Sequence, residues 1–394
     1  MSGGRERARA IHDFLRGRRE EMVALLVALA SEESPTDVPA SQQPVQERLR
    51  QALGARGFDV RHLPGRRTGG HLFAVPAERQ RGRPAQLLIG HSDTVWPVGT
   101  TRSMPVAVDD GRVRGPGTFD MKAGLVQGLF ALDALQALGL EPPATPVWLI
   151  NSDEETGSPE SKRWVRLLSR HAVRTFVLEP SLGPEGLLKT ARKGVARFTV
   201  SVHGRAAHAG LDPTAGASAI EELAHVIQRL HAMTDLERGT TVNVGVVRGG
   251  TRPNVTAAHA EADVDVRFVS IADGEAVTEA IRGMTPSTEG TRLEIGGGIE
   301  IAPLERTPRN RALWAEARSA AERLGFALGD TISGGGSDGN TTSLFNATLD
   351  GLGAVGDGAH AAHEHVVIEG MAQRAALLAE LLMAPVGDAA RATC

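Results

Sequence analysis

The chain has 394 residues, of which 41% are hydrophobic and 23% charged, proportions that exclude a disordered chain or a membrane-embedded body. A formal net charge of -4 gives no basic face for nucleic acid or an anionic membrane, and the length suggests two domains. The only cysteine is Cys394, which excludes an internal disulfide framework and a thiolate-rich metal site, so any metal falls to His, Asp and Glu.

In chain order, the opening M-S-G-G-R-E-R-A-R-A is charged, and the first apolar run, residues 22–30, is flanked by glutamates. A bilayer needs about 20 apolar residues, and no secretory cleavage pattern is present, so the run reads as an amphipathic helix of a cytoplasmic protein. Short apolar runs then alternate with helical patterns: strands A-Q-L-L-I-G, P-V-W-L-I-N and T-F-V-L-E, with helices expected over residues 124–138 and 159–169. After Lys193-Gly194 the pattern changes to strand (A-R-F-T-V-S-V-H), helix (S-A-I-E-E-L-A-H-V-I-Q-R-L), two alternating strands (T-V-N-V-G-V-V-R and A-E-A-D-V-D-V-R-F), a helix at residues 274–282 and a strand (T-R-L-E-I). That β-α-β-β-α-β order matches a ferredoxin-like unit. The earlier pattern resumes after Arg306, with a strand A-T-L-D-G-L-G-A-V and a last helix at residues 370–383. The expected fold is therefore α/β, a mostly parallel sheet flanked by helices, with residues 1–194 and 306–394 forming one discontinuous domain. Residues 195–305 are its inserted ferredoxin-like α+β lid.

Metal-binding residue types recur just past the predicted strands, where open α/β sheets bind their ligands. L-L-I-G runs into His91-Ser92-Asp93, V-W-L-I-N-S into Asp153-Glu154-Glu155, F-V-L into Glu179 and L-G-A-V-G-D-G-A into His360, while Asp120 follows G-P-G-T-F. A lone histidine is more often structural than a ligand, and a Glu-Glu pair is usually a solvated edge. Their joint occurrence is different, because several carboxylates gathered at one site need counter-charge and these motifs carry no matching Lys/Arg cluster. Imidazole and carboxylate without thiolate suit zinc in a catalytic role. The stretch S-G-G-G-S-D-G-N at residues 333–340 lacks the G-K-[ST] of a phosphate loop and the G-x-G-x-x-G of a dinucleotide site. Its backbone N–H groups, at Gly336 and Ser337, are candidates to hold a substrate carboxylate.

Six motifs stand in one order: G-H-S-D-T-V, G-P-G-T-F-D-M-K-A-G, N-S-D-E-E-T-G-S, V-L-E-P-S, H-G-R-A-A-H-A-G and G-D-G-A-H-A-A-H-E. In these the chain resembles, over nearly its whole length, the zinc metallopeptidases that include glutamate carboxypeptidase, aminoacylase and succinyl-diaminopimelate desuccinylase, and is nearest in type to the first. The resemblance implies that His91 and Glu179 hold one zinc, Glu155 and His360 a second, and that Asp120 bridges them, with Co²⁺ or Mn²⁺ as substitutes. His363 competes with His360 for the last place; the family pattern H-x-x-x-E favours His360 with Glu364, and His365 is a weaker candidate. Glu154 corresponds to the general base, Asp93 to the residue that orients His91, and the Asp120-Met121 peptide to one that is often cis. His208 corresponds to a histidine that reaches the partner subunit's active site, and Asn254 and Arg267 to substrate contacts. Without the resemblance His208 would read as a surface-loop histidine and Arg267 as a surface arginine paired with an Asp or Glu of a neighbouring strand.

The implied protein is a homodimer through the lid that cleaves an amide beside a free carboxylate, releasing a C-terminal residue such as glutamate from a small peptide or an N-acyl amino acid. Glutamate at position 179 points to carboxypeptidases and deacylases rather than aminopeptidases and dipeptidases. The alternatives are an aminoacylase-like deacylase with little peptide activity and a catalytically silent binding protein. The latter would show a lost ligand or base, and neither is lost.

Overall fold

The structure, a computed structural model, describes residues 2–80 and 82–386; Cys394 lies outside the described residues. Among them two compact units separate: the chain up to Thr190, with Arg306–Ile332 and the part from Ser337 onward, forms the larger, and Ala191–Glu305 with Ser333–Gly336 the smaller. In chain order the strands are β1 (Phe58–Leu63), β2 (His71–Pro76), β3 (Ala85–His91), β4 (Ala107–Asp109), β5 (Arg112–Arg114), β6 (Thr145–Asn151), β7 (Ala172–Val177) and β8 (Leu188–Arg192). They continue as β9 (Gly194–His203), β10 (Thr241–Gly249), β11 (His259–Phe268), β12 (Arg292–Ile301), β13 (Asp330–Ser333), β14 (Ala347–Leu349), β15 (Gly356–Asp357) and β16 (His365–Val367).

The main sheet of the larger unit runs β1-β2-β6-β3-β7-β14. Strand β3 lies parallel to β6 and β7, and β14 parallel to β7, whereas β2 is antiparallel to both β1 and β6. The parallel core carries the runs read from sequence; the β1–β2 hairpin at its edge was not anticipated. Alternation along the buried strands divides their side chains between two layers. Leu88, Trp148, Ile150 and Phe176 face the larger apolar cluster, under helices Ala123–Ala137 and Ile368–Leu382. Leu87, Ile89, Val147, Leu149 and Val177 face the opposite layer, with Val165 of helix Lys162–His171. Helix Ala123–Ala137 lies unusually close to the sheet: a Cβ at Gly124 would stand 2.0 Å from the carbonyl oxygen of Leu178.

A second sheet of this unit, β15-β16-β5-β4, consists of strands too short for periodicity to reveal. It corrects one expectation. The strand read as A-T-L-D-G-L-G-A-V stops at Leu349, and Gly351 turns the chain at φ 78°. His360 therefore follows the two-residue β15 of the small sheet, at a left-handed φ of 60°, and does not end a strand of the main sheet.

In the smaller unit the sheet runs β10-β11-β9-β12, antiparallel throughout. Numbered within this unit, this is the order second, third, first, fourth, with helices Ala219–His231 and Ile271–Arg282 in the two crossovers. Strand β11 alternates strictly between buried and less buried positions, as a sheet covered on one face requires. Ser218 and Ser270 cap the two helices by accepting from Glu221 N–H and Asp273 N–H. No helix among the described residues is long and apolar enough to cross a membrane.

Candidate metal centre

Parallel pairing brings the rim residues together. His91 ends β3 level with Asn151 of β6, and β7 runs beside β3, so the segments that follow all three leave the sheet at the same edge. Two groups of potential ligand atoms form there, His91 with Asp120 and Glu179, and Asp120 with Glu155 and His360, each within 4.8 Å. Asp120 belongs to both through different oxygens. Its Oδ1 lies 3.2 Å from His91 Nε2, which is 3.3 Å from Glu179 Oε1. Its Oδ2 lies 3.4 Å from His360 Nε2, which is 3.0 Å from Glu155 Oε2. The Asp120-Met121 peptide is cis.

These spacings suit a cation. Donors about 2.0–2.2 Å from a tetrahedral ion stand about 3.3–3.6 Å from one another, close to the separations found in both groups. Glu155 Oε1 is also buried without a hydrogen-bond partner, an orphaned acceptor that a metal would satisfy. The electrostatics agree. Burial alone would lower His91, but Asp120, Asp93 and Glu179 hold it well above the usual imidazole range. His360 is raised to about 10 by Asp120 and Glu155. Asp120 is held far below the usual carboxylate range, because His360 and His91 outweigh its burial. Positive charge is thus favoured at both positions.

Asp93 organises the surrounding turn. Its carboxylate accepts from the Thr36 hydroxyl at 2.7 Å and from Glu155 N–H at 3.2 Å. The ring Nδ1 of His91 lies 3.0 Å from the Asp93 carbonyl oxygen and 3.5 Å from its carboxylate, so the main chain makes the closer contact. The Glu154 carboxylate has no hydrogen-bond partner among the described residues, and its burial, then the Glu179 charge, raise it well above the ordinary range. A carboxyl poised to hold a proton sits beside both groups.

Glu364 was read only as part of a pattern, yet it grips the Asp120 loop. Its carboxylate, 1% exposed, accepts from Trp96 Nε1 at 2.8 Å, Gly117 N–H and Phe119 N–H at 2.9 Å and Asp120 N–H at 3.1 Å. Lys189, whose Nζ is 3.9 Å from Glu179 Oε2, had no sequence signal. His363 lies 3.8 Å from Asp357 and His365 Nδ1 3.0 Å from the His363 carbonyl oxygen; neither joins the two groups.

The remaining candidates are members of neither group. In the smaller unit, exposed His208 bridges to Val255, next to Asn254, and its Nδ1 accepts from Gly210 and Leu211 N–H. Arg267 makes a two-pronged pair with Asp265, at 2.7 and 3.1 Å. Gly336 offers its carbonyl to Arg192. The Ser337 N–H donates to Asn340 and its hydroxyl to Asp350, a helix cap that leaves this N–H engaged within the loop, contrary to the expectation that it is open to an anion.

Residues 190–288 match the family model described as the peptidase dimerisation domain. The chain is 27% identical to carboxypeptidase G2 of Pseudomonas sp. (strain RS-16) over 77% of this chain and 74% of that protein. It is 30% identical to acetylornithine deacetylase of Myxococcus xanthus over 78% of this chain and 82% of that one. Among solved structures it is similar to the aminopeptidase PepT of Bacillus cereus, with a TM-score of 0.76 at 22% identity over 93% of this chain and 98% of the other. It is also similar to a dinuclear metal-binding peptidase of the M20 family from Bacillus subtilis, with a TM-score of 0.72 at 16% identity over 93% and 98%. The breadth of the likeness to the deacetylase, with the fold and the dimerisation domain, places the chain in the M20 family of metallopeptidases, and it is a metal-dependent amide hydrolase.

Proposed function

We propose that the chain uses two zinc ions to hydrolyse an amide beside a free carboxylate, releasing a C-terminal amino acid such as glutamate from a small peptide or an N-acyl amino acid. The observation that carries this reading is Asp120, which offers one oxygen to His91 and Glu179 and the other to Glu155 and His360. In it His91 and Glu179 would hold one ion, Glu155 and His360 the other, and Asp120 both. Bound there, the pair would supply Lewis-acid polarisation of the scissile carbonyl and activation of water at neutral pH.

The chain's own residues do the rest. Glu154, unpartnered and raised toward the protonated form, takes the proton of the attacking water and returns it to the nitrogen of the departing amine. Asp93 keeps the His91 ring in place and holds the turn that carries Glu155. Arg267 already binds a carboxylate in fork geometry and would exchange Asp265 for that of the substrate, with Asn254 and Gly336 as further substrate contacts. The match to the dimerisation domain supports a homodimer in which His208 serves the partner subunit's site. The likeness to acetylornithine deacetylase supports the second reading, a deacylase with little peptide activity.

Metal content and turnover test the reading together. Zinc-, Co²⁺- and Mn²⁺-loaded protein is assayed on N-acyl amino acids and dipeptides, each as free acid and as C-terminal amide. Hydrolysis restricted to free acids is expected. Equal turnover of acid and amide would remove carboxylate recognition from the proposal.

A further inference from the structure

Strand β8 sets a lysine against the metal centre from outside the six sequence motifs. Lys189 and Glu179 are each 7% exposed, and the ammonium Nζ stands 3.9 Å from Glu179 Oε2, an ion pair rather than a close hydrogen bond. The other oxygen, Oε1, faces His91 Nε2 at 3.3 Å. The two oxygens of one buried carboxylate therefore serve different sides, Oε1 the ligand group and Oε2 a cation. The same ammonium acts with His360 and His91, against burial, to hold Asp120 below the usual carboxylate range.

Main chain fixes both partners. Lys189 N–H donates to the Asp350 carbonyl at 2.9 Å, and Gly353 N–H to the Glu179 carbonyl at 2.8 Å. Between these bonds Gly351 turns at φ 78°, and a Cβ there would stand 3.2 Å from Lys189 Cγ, so the lysine stem lies along the bare glycine. Gly353 is as tightly placed, its would-be Cβ 2.4 Å from the Leu178 oxygen. The buried Arg374 guanidinium donates to the carbonyls of both glycines and of Gly186. One clamped stretch, residues 350–353, thus sets the ammonium and the carboxylate side by side. With a metal ion to balance Glu179, an apolar side chain of the same length would avoid the desolvation of an ammonium, so stability does not account for a lysine here.

We propose that Lys189 is a positioning residue that holds Glu179 to one-oxygen coordination and so keeps a place open on the ion held by His91, Asp120 and Glu179. A catalytic zinc site needs such a place for water or the scissile carbonyl. With Oε2 drawn to the ammonium, Glu179 offers the ion Oε1 alone; without Lys189, both oxygens can close on the ion and fill that place. The charge works in the same direction. Given donor distances of about 2.0–2.2 Å, the ammonium stands about 5–8 Å from that ion and repels it. Lys189 therefore lowers metal affinity and raises turnover. The inference rests on the two-ion reading above.

Lys189→Met keeps the stem and removes the charge. Zinc titration against a chromophoric chelator should show one of the two binding steps tightened by about ten-fold or more. The visible absorption of the Co²⁺-loaded variant should weaken, as it does when cobalt gains ligands beyond four. In the zinc enzyme kcat should fall about ten-fold with KM little changed. Loss of a merely structural lysine would move the titration the other way, weakening metal binding along with turnover. Lys189→Arg, which keeps the charge, should retain the parent's zinc affinity and Co²⁺ spectrum, and Lys189→Leu takes the place of Lys189→Met if that variant does not fold. Unchanged or weaker zinc binding in the neutral variant, an unchanged Co²⁺ spectrum, or a Lys189→Arg protein that behaves like Lys189→Met would overturn the role, while binding of about two zinc equivalents and turnover by the parent leave the two-ion reading standing. A parent that binds no metal would overturn both.

Discussion

Replacing Glu364 by Gln perturbs the centre without touching a group that would contact metal or substrate. The carboxylate serves its four donors in pairs, Trp96 Nε1 and Gly117 N–H on Oε2, and Phe119 N–H and Asp120 N–H on Oε1. Glutamine retains one oxygen and must turn its NH₂ toward one of these pairs, so two donors face a donor whichever way the amide lies. A buried donor left without an acceptor costs about 1–3 kcal/mol, which puts the loss at about 2–6 kcal/mol. Part of it should appear locally, because Asp120 N–H is one of the four and Glu364 shares its loop with His360. Equilibrium urea unfolding of the metal-free proteins measures the first effect, and zinc titration by competition with a chromophoric chelator the second. The variant should unfold at lower urea and bind zinc at least ten-fold more weakly, while Glu364→Asp recovers part of both. Stability within about 0.5 kcal/mol of the parent, a difference typical of an uninvolved surface site, together with unchanged zinc affinity would refute the gripping role.

Glu154→Gln should keep the metal content and lower kcat by about 10²-fold or more, whereas Glu155→Gln should lose about half the bound zinc; equal metal loss in both would reverse their roles. Removal of metal by a chelator should abolish turnover and lower the thermal midpoint, since the two groups otherwise hold five ionisable side chains together without a cation, and zinc should restore both at about two equivalents. Asp338, fully enclosed beside Ser158 and Asn151, is raised by burial to about 6. A raised carboxyl contributes stability that is fully present below its unfolded value of about 3.9 and is lost as pH rises through 6. The stability difference between the parent and Asp338→Asn should therefore drift against the parent by up to about 3 kcal/mol from pH 4 to pH 7, and a difference independent of pH would disprove the linkage.

The parts legible in the sequence were those written in local periodicity or fixed motifs. Alternation along A-E-A-D-V-D-V-R-F marks β11 because one face of the smaller unit's sheet is covered, and the runs L-L-I-G and V-W-L-I-N mark strands buried on both faces. His91, Asp120, Glu155, Glu179 and His360 stood out as metal-binding types in ordered motifs. What escaped depends on partners distant in the chain. The strands of the small sheet are two or three residues long and pair with one another across distant parts of the chain. The grip of Glu364 on residues about 245 positions away has no local mark. Nor could composition tell that Arg267 already holds Asp265, or that Ser337 closes its own helix cap.

The near contact at Gly124 has a consequence for how this centre can change over time. With 2.0 Å between a would-be Cβ and the Leu178 oxygen, the helix that begins just after Asp120 rests main chain on main chain against the strand that leads into Glu179. The main-chain spacing between the segments that carry those two carboxylates is consequently set by the peptide framework, with no side chain between them to adjust. Side chains elsewhere in the layer can change in size and kind without altering that spacing. A single methyl group at position 124 would act as a wedge at that joint, opening the gap between two elements that no compensating exchange of neighbouring side chains can close.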